Sequence, residues 1–159
     1  MSTHAYRALI VDLLETDPWP AAAAEQAAAL APDSPVYAEM EAMADGLVLA
    51  VAHAWDEEDP ATVAEEVVEH FGAFMVPGEG GEPEPEFLLT RTALACLVSL
   101  GHVSEQFANI AATFGRPTLA RAAAEALRFL AVQAAAQTDQ EPGQVFAGLR
   151  AGAYSRDES

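Results

Sequence analysis

Apolar residues recur along this chain with the period of a helix. Tyr6, Leu9, Ile10, Leu13 and Leu14 stand at i, i+3, i+4, i+7 and i+8, which predicts an amphipathic helix from about Thr3 to Glu15. Asp17-Pro18-Trp19-Pro20 ends it, because a proline biases its predecessor away from the helical region and has no N–H to continue the ladder. Pro20 then suits the first position of a second helix. Ala21 to Ala31 is almost all alanine, with high helix propensity and little to bury, so this helix must pack closely against a neighbour or fray. Ser34 followed by Pro35 makes an N-cap and a first helical residue, and Val36, Met40, Met43, Leu47, Val51 and Trp55 keep a helical repeat for about 20 residues, roughly 30 Å. Glu39, Glu41 and Asp45 mark its polar side, and beyond Gly46 the run LVLAVAHAW is apolar almost all round, which predicts that its second half lies deeper than its first.

Asp56-Glu57-Glu58-Asp59-Pro60 is an acidic turn in which Asp59 can cap the next helix, and carboxylates there are favoured by the helix dipole. In that helix Val63, Val67, Phe71, Phe74 and Met75 form the stripe to be buried, Glu65, Glu66, Glu69 and His70 face water, and Pro77 closes it. The segment 78–86, GEGGEPEPE, contains no apolar residue and is expected to be a flexible acidic loop. After it comes Phe87 to Leu100, whose apolar positions cover most of the helical wheel; the run is too short for a bilayer, which asks for about 20 apolar residues, so it predicts a helix buried on most sides. Ser104 opens a further helix with Phe107, Ile110, Ala111 and Phe114 on its inner face, and Gly115-Arg116-Pro117 ends it. Leu119, Ala123, Leu127, Leu130 and Ala134 define the next, with Arg121, Glu125 and Arg128 paired on its outer side; a last helix from about Gly143 to Tyr154 offers Val145, Phe146 and Leu149, and 155–159 reads as a frayed tail. No alternating strand or hairpin signal occurs. The two helices joined at 115–117 look like one unit of a helical repeat such as the tetratricopeptide type, but no second copy recurs at a period of about 30 to 45 residues. The expected architecture is all-α: one domain, residues 1–159, an irregular bundle of about six to eight helices around central helices 35–56 and 86–101.

Composition changes this picture in one respect. The formal charge is −18, and it is segregated: between Arg7 and Arg91 there is no Lys or Arg while Asp and Glu occur nineteen times, whereas from Arg91 onward there are six of each sign. A GC-rich codon bias accounts for an alanine-rich chain without lysine, but not for the missing arginine. The acidic half reads as a solvated surface that keeps the chain soluble, as a docking face for a basic partner, or as a nucleic-acid mimic. Direct nucleic-acid binding is disfavoured, since it draws on clustered Lys and Arg. The N-terminus lacks the features of a secretory signal and no segment reads as a membrane span, which points to a cytoplasmic protein.

Candidate chemistry is sparse. Cys96 is the single cysteine, set in an apolar helix with no neighbouring base, and reads as a small hydrophobe. Glu66 and His70 are four apart and His102 precedes Glu105, neither of which is the Glu-x-x-His spacing of a di-metal carboxylate bundle. His53 stands at the margin of an apolar helix with no named acid, and phosphate-loop, dinucleotide, nucleophile-elbow and zincin motifs are absent. The expectation is a non-enzymatic protein with no cofactor and no metal site, acting on a protein partner with a basic surface, with no membrane binding and a homodimer as a compatible assembly. The contact is expected at Asp56, Glu57, Glu58, Asp59, Glu65, Glu66, Glu69, Glu79, Glu82, Glu84 and Glu86. The alternative is a helical bundle holding a small ligand or metal through His53, His70 or His102.

Overall fold

Helix starts and stops follow from local chemistry. In the computed structural model, which describes residues 3–16, 18–56, 59–73, 85–98 and 103–154, eight helices follow one another: α1 (Thr3–Glu15), α2 (Ala21–Ala28), α3 (Pro35–Ala54), α4 (Pro60–Ala73), α5 (Pro85–Val98), α6 (Val103–Phe114), α7 (Arg116–Gln137) and α8 (Pro142–Ala151). No strand occurs among the described residues. Ser34 Oγ accepts the Val36 N–H at 3.2 Å, with Pro35 directly behind it. Asp59 Oδ1 accepts the Ala61 N–H at 3.1 Å, the cap its position before Pro60 predicts. Glu141 and Gln144 close a reciprocal capping box on α8, which ends on Gly152 in the left-handed conformation. Gly115 has φ 96° and ψ 158°, a region essentially open to glycine alone, and this lets α6 turn directly into α7.

The centre comprises α3, α5 and α7. Helix α7 touches every one of the other seven helices. It can do so because eight of its eleven buried residues are alanines, whose small side chains let neighbouring backbones come close from several directions. Leu119, Leu127 and Leu130 are fully buried among them and contribute about 1.5–3 kcal/mol each by leaving water. Ala23 and Ala27 of α2 pack down on this assembly, which holds the alanine-rich helix in place. The core is otherwise formed by Ile10, Leu13 and Leu14 of α1, by Met40, Met43, Leu47 and Val51 of α3, and by Val63 of α4, Leu94 and Leu97 of α5 and Phe107 of α6.

Several expectations are corrected. The second half of α3 lies no deeper than the first: Val36, Tyr37, Met40, Met43 and Ala44 are buried in one half and Gly46, Leu47, Val48, Val51 and Ala52 in the other, while the last turn runs past the edge of the core and exposes His53 and Ala54. Trp55 is 37% exposed there and donates its indole N–H to Gln137 Oε1 at 2.6 Å, joining the C-terminal ends of α3 and α7. Phe114 is 50% exposed, because it sits in the last turn of α6, where Gly115 swings the chain away. Pro85 and Glu86 open α5 instead of closing the acidic loop, in keeping with proline's fitness for a first helical turn. Helix α2 ends at Ala28, and the carbonyl of Ala29 lies 3.5 Å from the Arg116 guanidinium. Helix α5 is packed by α3, α4, α6 and α7, yet Leu88, Arg91 and Thr92 are exposed, so its apolar wheel is covered on some sides only. The rest of the loop 78–84, Phe74, Met75, Pro77 and the tail 155–159 lie outside the described residues.

Candidate functional site

The arginines decide where the negative charge remains unanswered. Arg7 of α1 donates from Nε to Glu39 of α3 at 2.9 Å, and both side chains are largely shielded from water. Arg150 of α8 reaches Asp12 at 3.0 Å and Glu15 at 3.8 Å, tying the last helix to the first. Arg128 of α7 donates from Nε to the carbonyl of Leu14 at 2.9 Å, and the Trp19 indole N–H donates to that of Leu13 at 3.0 Å. These two bonds satisfy carbonyls that the end of α1 leaves without an intrahelical partner, and Arg128 adds a positive charge where the helix dipole is negative. Arg121 lies over the Trp19 ring, 4.2 Å from its centroid, and pairs with Glu125 as its spacing predicts. Arg116, Arg121, Arg128 and Arg150 therefore fold back onto α1, the end of α2 and the junction between them, and Arg150 answers Asp12 and Glu15.

Glu65, Glu66 and Glu69 of α4 stand apart from these arginines. Between α3, α4 and α5 lies a half-open groove of ≈ 650 Å³. Its walls are apolar: Val48 and Leu49 from α3, Pro60, Ala61, Ala64 and Val68 from α4, and Ala95 and Val98 from α5. Its rim carries four carboxylates, Asp45 on α3 and Asp59, Glu65 and Glu69 on the α4 side. Among the described residues neither an arginine nor a histidine lines it; Arg91, exposed on α5 one turn before Ala95, stands outside the lining. Among the described residues no arginine pairs with Glu65, Glu66 or Glu69. On α3 Glu41 stands one turn from Asp45, and its carboxyl is pushed above the ordinary range, first by burial and then by the Asp45 charge.

Of the residues expected from sequence to make the contact, Glu65 and Glu69 are brought together on the groove's rim with Asp59, while Glu66 is exposed on α4 outside the lining. Asp56 is exposed in the turn after α3 with φ 55°, a left-handed conformation that aspartate tolerates better than most residues. Glu86 belongs to α5, and Glu57, Glu58, Glu79, Glu82 and Glu84 lie outside the described residues. Asp45 was assigned only to the polar side of its helix; its partnership with the α4 carboxylates needs the packing of α3 against α4, which no spacing within one helix reveals.

His53 and His70 are exposed on α3 and α4, and the His70 ring lies 6.3 Å from that of Phe129; His102 lies outside the described residues. No group of three His, Cys, Asp or Glu side chains among the described residues is arranged to hold a metal ion. Cys96 is buried, and burial pushes its thiol pKa up, away from the thiolate that nucleophilic chemistry needs. No helix among the described residues is long and apolar enough to cross a membrane. No protein family, curated protein or solved structure matches the chain.

Proposed function

We propose that this chain is a non-enzymatic interaction module that meets a protein with a basic surface through the acidic side formed by α3 and α4. The observation that supports this reading is the division of charge in three dimensions. The described arginines other than Arg91 are spent on internal contacts with α1, α2, α3 and α7, while the carboxylates of α4 stand in water around an apolar groove. Like charges held close together cost stability, and an oppositely charged partner relieves that cost while the field speeds encounter and disfavours acidic competitors.

The test is capture at 50 mM NaCl from a lysate of the chain's own host, run in parallel with the triple variant Glu65→Gln/Glu66→Gln/Glu69→Gln. All three side chains are exposed, so the variant leaves the core untouched. The expected partner is basic, is retained by the native chain, is lost from the variant, and elutes steeply as NaCl rises towards 500 mM because exposed charges are screened over a few ångströms at high ionic strength. Partners held equally by both proteins, or held through 500 mM NaCl, overturn the proposal.

A further inference from the structure

Carboxylates alone would recognise any polycation; the apolar lining of the groove asks for more. Resting on the reading above, we infer that the α3–α4–α5 groove takes an amphipathic helix whose apolar stripe is flanked by Lys or Arg. Two features choose this occupant. First, Glu65 and Glu69 stand four apart on α4, and four residues of helix cover roughly 6 Å. That is about one helical turn, so cations four apart on a partner helix meet both carboxylates at once, whereas a single organic cation would use one. Second, the groove is lined by the apolar side chains of Val48, Ala61, Ala64, Val68, Ala95 and Val98. Small and β-branched side chains leave room along the groove for leucine-sized anchors, the arrangement of helix-in-groove recognition. A second copy of the chain is a poor occupant, because it brings a further formal charge of −18 and no lysine.

The test uses a labelled 18-residue peptide with leucines at i, i+3, i+4 and i+7 and lysines and arginines on both flanks, together with an isomer of identical composition in which the stripe is scrambled. Fluorescence anisotropy at 50 mM NaCl is expected to show at least tenfold tighter binding of the amphipathic peptide. Ala61→Trp fills the groove without altering any charge, and since Ala61 is exposed the core is undisturbed; it should weaken binding about tenfold. Val68→Thr, of the same shape but polar, should weaken it about threefold and stands in should Ala61→Trp fail to fold. Glu65→Gln/Glu69→Gln should weaken both peptides to a similar degree. Equal binding of the two isomers, unmoved by Ala61→Trp and Val68→Thr, overturns the groove and leaves the acidic contact surface standing. Binding of neither peptide at 50 mM NaCl overturns both readings. A dimer seen by sedimentation and abolished by Ala61→Trp, or tetraphenylphosphonium displacing the peptide at lower concentration than the unlabelled peptide does, reassigns the groove and overturns the helix.

Discussion

The hydroxyl of Tyr37 is buried and, among the described residues, has no hydrogen-bond partner. Its ring is well used, packed edge-on to Phe107 with centroids 5.1 Å apart, and the same burial drives the phenol pKa far upward. The ring therefore stabilises the fold while the oxygen opposes it, since a polar group stripped of water without a replacement costs about 1–3 kcal/mol. Tyr37→Phe keeps the ring and removes the oxygen, so urea denaturation should find the variant as stable as the native chain or up to ~2 kcal/mol more so. Glu41 presents the opposite problem of a charge in the wrong place. Its folded pKa is raised, so the native state holds the proton more firmly than the unfolded chain; whatever stability this confers is present below the unfolded value near 4.3 and is lost as pH rises through the folded value. At pH 7 the ionised group works against folding, and Glu41→Gln should melt at a higher temperature than the native chain at pH 7, the gap closing below about pH 4.

At the scale of elements, glycine marks where helices and turns approach most closely. A methyl group at Gly46 would run into the backbone carbonyl of Tyr154, so the turn after α8 lies directly on α3 only because that position has no side chain. The Tyr154 ring in turn covers Gly148, where an added Cβ would stand 2.7 Å from Cε2. Alanine is the better helix former by about 1 kcal/mol, but overpacking against backbone that must shift costs about 1–3 kcal/mol. Gly46→Ala should therefore destabilise the protein despite its helical position. Gly143→Ala in α8, where nothing lies within 4 Å, should stabilise it by about 0.5–1 kcal/mol. The two changes are chemically identical, so opposite signs in thermal melts would isolate the close approach as the cause.

Over the whole molecule the dominant fact is charge. In a chain at −18 whose described arginines, Arg91 apart, are engaged in contacts with α1, α3, α7 and the residues flanking α2, the exposed carboxylates of α4 repel one another. Added salt screens that repulsion, so the melting temperature should rise by several degrees between 10 and 300 mM NaCl, while binding of a basic partner falls over the same range. A surface worth little electrostatically would give neither trend, and a calorimetric melt at the two salt concentrations decides it.

Much of the architecture was legible from the residues. Periodicity located α1, α3, α4 and α6, and capping chemistry at Ser34, Asp59 and Gly115 placed boundaries, because those signals act within a few residues of chain. The site was legible only in part: Asp59, Glu65 and Glu69 stood out by charge, but the groove they border and the place of Asp45 beside it exist only because α3, α4 and α5 pack together. The hub role of α7 was equally hidden. An alanine-rich helix looks weakly apolar in sequence, and only packing shows that small side chains are what allow seven neighbours to reach it. The order of amino acids by itself determined which segments are helical and that negative charge outweighs positive in the first half. Tertiary structure decided which of those anions are neutralised, since an arginine can answer a carboxylate more than a hundred residues away, as Arg150 answers Asp12, once folding has brought the two helices together.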